Sequence, residues 1–176
     1  MMVFESDEDI VVIDAGIMFP PEDLLGVDLI IPDISYLVER KEKIRGILIT
    51  HGHEDHTGAL PYVLSQLQVP VYAPRLAHGL ISVKLQEQRS SRGSTVVAVE
   101  PGIPVALGSF EAEFFRVCHS IPDAMGIALR TPLGLVLHTG DFKIDHTPVD
   151  GMPTDFTKLA ELTSEGVLLL CSDSTY

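Results

Sequence analysis

The sequence predicts an α/β (α+β) fold in which two β-sheets pack face to face and helices cover their outer surfaces. In the first half of the chain, short apolar runs alternate with helical patterns, which favours a sheet flanked by helices. In the second half, strand candidates follow one another with only turns between them, which favours a mainly antiparallel sheet. At 176 residues the chain is long enough for one domain with a hydrophobic core.

The chain opens with a predicted hairpin of strands at 2–5 and 9–13, joined by an acidic turn. The second strand is almost continuously apolar, as expected of a strand that is covered on both faces. A proline-containing loop over 17–33 follows. Asp33 is then the expected N-cap of a helix over 34–43, whose charged side chains form a solvated face.

The remaining elements are predicted from apolar runs bounded by glycine, proline and polar clusters. The remaining strands are expected at 46–50, 69–72, 95–99, 103–107, 110–118, 126–131, 134–138 and 167–170. The remaining helices are expected at 58–67, 74–88 and 155–164, with a small basic turn at 89–94.

Composition limits the possible functions. No apolar run approaches the roughly eighteen residues of a membrane span, and the acidic N-terminus does not resemble a signal peptide. Cys118 and Cys171 lie far apart and form no C-x-x-C pair, which favours a reduced, cytoplasmic protein. The net charge of −13 is unusual for a nucleic-acid-binding protein, since such proteins usually present a basic face.

The chemistry of the chain is concentrated in residues 50–58, Thr-His-Gly-His-Glu-Asp-His-Thr-Gly. This stretch lies between a buried strand and a predicted helix, so its side chains can converge on one point. Neutral imidazole and carboxylate groups are ligands of Zn²⁺, Mn²⁺ and iron. The alternative is a polar surface loop whose histidines bind nothing. We favour a metal site, because random composition rarely places H-x-H-x-D-H directly after an apolar strand.

Two later residues could complete such a site. His119 and Asp141 each lie at the end of a predicted strand, and strand ends on one rim of a sandwich can meet. His138, which precedes Asp141, is either a support for a ligand or a packed strand residue. Cys118 is expected in the core, because adjacent strand positions face opposite sides of a sheet.

These motifs resemble those of the metallo-β-lactamase superfamily, whose fold is an αββα sandwich. Within it, the chain is most similar to the β-CASP branch and to its ribonuclease J family. The residues that carry the narrower resemblance are Asp14-Ala15-Gly16, Met18-Phe19-Pro20, Gly26-Val27-Asp28, Ile31-Pro32-Asp33, Tyr36-Leu37, His138 to Lys143, Pro148 to Gly151 and Ser172 to Thr175.

The resemblance implies a set of metal ligands. His51, His53 and His119 would hold one divalent ion, Asp55 and His56 a second, and Asp141 would bridge the two. Asp173 matches a carboxylate motif of the β-CASP branch and would orient a ligand or assist proton transfer, with a turn residue as the alternative. The implied catalytic residues are therefore Asp55, Asp141 and Asp173.

The implied function is that of a two-metal RNA hydrolase with endonuclease and 5′-to-3′ exonuclease activity, acting in rRNA processing and mRNA decay. The expected partners are 5′-monophosphorylated single strands of RNA and, in the full-length protein, further copies of the chain. Zn²⁺ is the expected metal and Mn²⁺ an alternative. Residues 1–176 would be the N-terminal part of the catalytic domain, without the β-CASP insert and C-terminal remainder. The sandwich would thus be incomplete and this fragment alone weakly active or inactive.

Two competing hypotheses remain. A small-molecule metallo-hydrolase of the same fold, such as a thioesterase or lactonase, would fit the negative charge better. A non-catalytic metal-binding module would need no substrate at all. The Asp173 motif argues against the first of these. Within the superfamily resemblance, His53 argues against di-iron redox chemistry, since a glutamate stands at that position in the oxidoreductase branch.

Overall fold

The computed structural model describes residues 1–88 and 94–175 and contains two five-stranded sheets. The strands of the first sheet are β1 (Met2–Glu5), β2 (Ile10–Ile13), β3 (Ile44–Leu48), β4 (Val71–Ala73) and β5 (Val96–Ala98), and they are arranged in that order. Strand β1 is antiparallel to β2, and all later neighbours are parallel. The predicted basic turn at 89–94 lies almost entirely outside the described residues.

The strands of the second sheet are β6 (Val105–Leu107), β7 (Phe110–Arg116), β8 (Met125–Thr131), β9 (Gly134–His138) and β10 (Leu169–Cys171). They are arranged in the order β10-β9-β8-β7-β6. Strands β6 to β9 form an antiparallel meander, as predicted, and β10 adds parallel to β9.

Helices lie outside both sheets. They are α1 (Ser35–Val38), α2 (Glu54–Thr57), α3 (Leu60–Gln66), α4 (Arg75–Gln88) and α5 (Phe156–Leu162). Leu60 and Ile81 pack with Ile47 on the outer face of the first sheet, and Leu162 packs with Phe115 on the outer face of the second. The predicted αββα sandwich is therefore confirmed.

The alternation of β7 shows how the layers form. Phe114 is fully buried between the two sheets with Ile13 and Leu48, whereas the next residue, Phe115, is buried under α5. Successive side chains of a strand point to opposite faces, so an unbroken apolar run serves two interfaces. Burying each such phenylalanine contributes about 1.5–3 kcal/mol to the free energy of unfolding.

Two predicted helices are divided in the structure. The helix expected at 34–43 becomes α1 and a separate 3-10 turn at Lys41–Lys43, because Arg40 leaves the helical conformation (φ −122°, ψ 23°). Asp33 accepts a hydrogen bond from Ser35 N at 2.9 Å, but Ile34 occupies the N-cap position. An aspartate that bonds two residues ahead forms a local turn, which delays the start of the helix.

The helix expected at 58–67 begins earlier and breaks once. Helix α2 starts at Glu54, four residues before the predicted start, and α3 follows from Leu60. Ala59 N donates its hydrogen bond to Ala15 O at 2.9 Å instead of continuing the helix, and Pro61, which has no N–H, fits the first turn of α3. As a result, Asp55 and His56 lie on a helical turn rather than on a loop.

Among the described residues, no helix is both long and apolar enough to cross a membrane.

Candidate metal centre

The loop after β2 holds α2 in place. Ala15 N donates a hydrogen bond to the carbonyl oxygen of His56 at 2.7 Å, and Ile17 N donates to that of Glu54 at 3.1 Å. Gly16 lies between them, and a Cβ atom at this position would stand 1.4 Å from the carbonyl oxygen of Asp55. Only glycine permits this approach, which fixes the backbone that presents Asp55 and His56.

Three histidines converge at the ends of β3 and β7. His51 Nε2 lies 3.0 Å from His53 Nδ1, and His119 Nε2 lies 3.2 Å from the same His53 atom. One nitrogen from each ring falls within 4.8 Å of the others, so the three could bind one ion. Three imidazoles form a donor set suited to Zn²⁺. The sequence separation of 66 residues between His53 and His119 is closed by the packing of the two sheets.

A second group contains His51, His56 and Asp141. Asp141 Oδ1 lies 3.3 Å from His56 Nε2, and its Oδ2 lies 3.7 Å from His119 Nε2. The two carboxylate oxygens thus face the two histidine groups separately. This orientation is the one that a bridging carboxylate needs, and the bridging role itself stays a prediction.

Two predicted site residues lie at the margin of this cluster. Asp55 Oδ2 is 3.6 Å from His56 Nε2, but the Asp55 side chain is 66% exposed and belongs to neither group. Asp173 lines a cavity of about 540 Å³ together with Asp55, His56 and Asp141. Its carboxylate accepts hydrogen bonds from the backbone N–H and hydroxyl of Thr175, which hold the pKa of Asp173 below its usual value. Asp173 is therefore both a turn residue and a wall of the cavity.

Asp14 is a site residue to which sequence reasoning assigned no role. Its buried carboxylate accepts hydrogen bonds from Thr50 N at 2.9 Å, from Thr50 Oγ1 at 2.9 Å and from His56 Nδ1 at 2.8 Å. An Nδ1–H held by Asp14 leaves the lone pair of His56 Nε2 directed at Asp141, so Asp14 sets the tautomer. Its φ of 58° is uncommon for a residue other than glycine. An aspartate that ends a buried apolar strand was the available signal.

The alternatives for His138 are resolved by its contact. His138 Nδ1 accepts a hydrogen bond from Gly140 N at 3.0 Å and so supports the turn that leads into Asp141. Gly140 adopts φ 59°, in the left-handed region that favours glycine. Cys118 is buried, as expected, and Glu54 is paired with Lys84 on the surface.

The environment shifts two histidines in opposite directions. Burial, with a smaller effect from the neighbouring His56, lowers the pKa of His51 to about 3. Burial also acts to lower the pKa of His56, but the hydrogen bond and charge of Asp14, with the charges of Asp141 and Asp55, raise it above the usual value. His51 is therefore neutral, with a lone pair available to a metal, across the physiological range.

We expect these shifts to be measurable in chelator-treated protein by NMR of the ring nitrogens. His51 should titrate near pH 3 and His56 above the ordinary value of 6.5. The contribution of His51 to the free energy of unfolding is present above pH 6.5 and is lost as pH falls towards about 3. That of His56 is present below pH 6.5 and is lost as pH rises through its folded pKa. In urea both should titrate at about 6.5, and equal values in the folded protein would contradict the described environment.

Comparison with known proteins agrees with this geometry. Residues 1–164 match the family described as the metallo-beta-lactamase superfamily. The chain is 50% identical to Ribonuclease J of Helicobacter pylori over 99% of its own length and 26% of that protein. It is 41% identical to Ribonuclease J2 of Bacillus subtilis over 99% of its own length and 31% of that protein.

Solved structures share the fold. The chain superposes on human tRNase Z, short form, with a TM-score of 0.62 at 16% identity, covering 95% of this chain and 68% of the other. It superposes on Zn²⁺-bound PqqB from Methylobacterium extorquens with a TM-score of 0.66 at 12% identity, covering 98% and 59%. At such identities the likeness concerns the fold alone.

Proposed function

This chain belongs to the metallo-β-lactamase superfamily, and we propose that it is the metal-binding part of an RNA hydrolase of the ribonuclease J type. The observation that carries the proposal is the convergence of His51, His53 and His119 beside His56 and Asp141. Identities of 50% and 41% to proteins named Ribonuclease J support RNA as the substrate.

The chain spans about a quarter to a third of the length of the curated relatives it matches, 25% to 31%. We therefore propose RNA hydrolysis as the activity of the whole protein, of which this chain supplies the metal-binding part. We assign residues 1–176 to the N-terminal part of a metallo-β-lactamase domain, which the rest of a protein of that length would complete. We propose in the same way that the full-length protein contains a β-CASP insert outside residues 1–176.

The imidazole and carboxylate groups of the site fit divalent metal ions, and membership of the metallo-β-lactamase superfamily supports the same proposal. His51, His53 and His119 would hold one ion, and Asp55, His56 and Asp141 a second, with Asp141 shared. Bound divalent ions supply Lewis-acid activation of a water and neutralise charge on the phosphodiester. Zn²⁺ suits the imidazole-rich group, while the carboxylate-containing group also suits Mn²⁺.

The protein side chains have distinct proposed tasks. Asp14 holds the Nδ1 proton of His56 at 2.8 Å, so that Nε2 is the ring nitrogen left to face the site and to bind a metal ion. His138 steadies the turn that presents Asp141. Asp173, on the wall of the same cavity, would orient a ligand or, as a carboxylate, assist proton transfer from an attacking water.

We further propose both endonuclease and 5′-to-3′ exonuclease activity, on 5′-monophosphorylated single-stranded RNA in rRNA processing and mRNA decay. The proposed setting is the cytoplasm, supported by two free cysteines, and the proposed assembly of the full-length protein is a homo-oligomer. A small-molecule metallo-hydrolase is the second candidate, favoured by the net charge of −13, since an acidic surface repels phosphates.

The two candidates can be separated in one set of assays on the full-length protein. Metal content is measured by mass spectrometry, and cleavage is followed on labelled single-stranded RNA, a thioester and a lactone. We expect RNA cleavage that chelation abolishes and metal restores. His53→Ala should remove the metal and the activity, while the control His146→Ala, at an exposed residue, should retain both. Turnover of the thioester or lactone with intact RNA would refute the proposal.

A further inference from the structure

Most positively charged side chains of this acidic chain form ion pairs with carboxylates. Within residues 1–88 and 94–175, most lysine and arginine side chains have a carboxylate within 4.0 Å; Lys41 and Arg116 have none. Lys41 lies in the exposed 3-10 turn between α1 and β3. Arg116 instead lies near the metal centre, so its location calls for an explanation.

Arg116 is the last residue of β7, three positions before His119, and it is partly buried. It lines a cavity of about 610 Å³ whose other walls include His119, Ser120 and Lys143. The backbone around it is held firmly: Arg116 O accepts a hydrogen bond from Asp155 N at 3.1 Å, and Cys118 O accepts one from Lys143 N at 2.7 Å. The guanidinium of Arg116, which has no carboxylate partner among the described residues, therefore lines the same cavity as the proposed metal ligand His119.

The second cation of this cavity is only weakly engaged. Lys143 Nζ lies 2.9 Å from Asp145 Oδ2, and the lysine side chain is 55% exposed. An exposed ion pair of this kind contributes little to the free energy of unfolding. Lys143 can therefore leave Asp145 and bind a phosphate group at little cost. The cavity also contains two carboxylates, and both accept backbone hydrogen bonds: Asp123 from Leu76 N at 3.1 Å and Asp150 from Met152 N at 3.0 Å.

We propose that Arg116 and Lys143 form a phosphate subsite, which binds a phosphate of the RNA strand next to the one held at the metal centre. The inference rests on the proposed function. A planar guanidinium offers paired N–H donors that match two phosphate oxygens, and Lys143 adds a point charge. The Ser120 hydroxyl is a further donor in the same cavity. A subsite of this kind would let a chain of net charge −13 hold a polyanion locally.

The test measures RNA binding by the full-length protein after chelation, so that it does not depend on catalysis. Dissociation constants for a single-stranded RNA are determined across a range of salt concentrations for wild type, Arg116→Gln and Lys143→Gln. Lys41→Gln is the matched control, because it removes one unpaired positive charge outside the site. The RNA is used with a 5′-hydroxyl and with a 5′-monophosphate.

We expect Arg116→Gln to weaken binding about tenfold, as for loss of a hydrogen bond to a charged group. The slope of log affinity against log salt should become shallower by about 0.7, the value for one phosphate contact on a single strand. Arg116→Lys should recover the slope but only part of the affinity, and Lys41→Gln should bind like wild type. An equal loss on both RNAs identifies a backbone phosphate, and a loss only on the 5′-monophosphate RNA identifies the terminal one.

If Arg116→Gln and Lys143→Gln bind RNA like Lys41→Gln while wild type cleaves RNA, the subsite is refuted and the proposed function stands. If wild type neither binds nor cleaves RNA, the proposed function fails and the subsite falls with it. Should Arg116→Gln not fold, as judged by circular dichroism, the exposed Lys143→Gln variant decides, with weaker binding and a shallower slope as the supporting result.

Discussion

Replacing Asp141 with asparagine is expected to abolish RNA cleavage while the fold is retained. The two oxygens of Asp141 face His56 and His119 separately, at 3.3 and 3.7 Å. An amide has the same shape but carries no charge and offers only one good acceptor oxygen, so it cannot bridge two ions. We expect kcat/KM to fall on the order of 10³-fold or more, because several kcal/mol of transition-state stabilisation are lost.

The measurement combines RNA cleavage with metal content by mass spectrometry on Asp141→Asn of the full-length protein. Both proposed ions should bind less tightly together, since Asp141 is the carboxylate proposed to bridge them. Asp7→Asn, in the exposed turn between β1 and β2, makes the same chemical change outside the site and should behave like wild type. Cleavage near the wild-type rate with a full complement of metal would exclude the bridging role.

Gly16→Ala is expected to produce the largest loss of stability. A Cβ atom at this position would lie 1.4 Å from the carbonyl oxygen of Asp55 and 1.9 Å from its carbonyl carbon. The clash is with backbone, so no rotamer change relieves it, and either the loop after β2 or α2 must move. We expect the free energy of unfolding to fall by about 3 kcal/mol. Displacement of α2 should also lower metal content, because α2 carries His56.

Gly79→Ala is the matched control for this prediction. Gly79 is exposed within α4, and a Cβ atom there would meet nothing within 4 Å. Alanine favours a helix over glycine, so this variant should gain about 0.5–1 kcal/mol in the free energy of unfolding. Urea unfolding followed by circular dichroism measures both variants. Equal stability of the two would show that α2 and the loop after β2 are not packed as described.

Much of the candidate site could be predicted from local pattern. His51, His53, Asp55 and His56 fall within six consecutive positions after a buried strand, so their proximity needs no knowledge of the fold. His119 and Asp141 were recognised as strand-end residues, and the structure brings them to the first cluster. The layered fold followed from apolar runs and turn residues, because strand and helix periods are local properties.

Contacts between distant residues decided the rest. The hydrogen bond from His56 to Asp14 spans 42 positions, and no local sequence pattern predicts which acidic residue accepts it. Likewise, the hydrogen bond from Ala59 N to the distant Ala15 O separates α2 from α3, and Asp55 on α2 is left 66% exposed.

The sequence alone determined the alternation of strands and helices, the likeness to a metallohydrolase superfamily and the group of histidines that can bind metal. Only the tertiary structure decided that Asp14 orients His56, that Asp141 faces two histidine groups and that Arg116 shares a cavity with His119. The physical reason is that propensity and periodicity act over a few residues. The relative placement of loops from two different sheets depends instead on how the whole core packs.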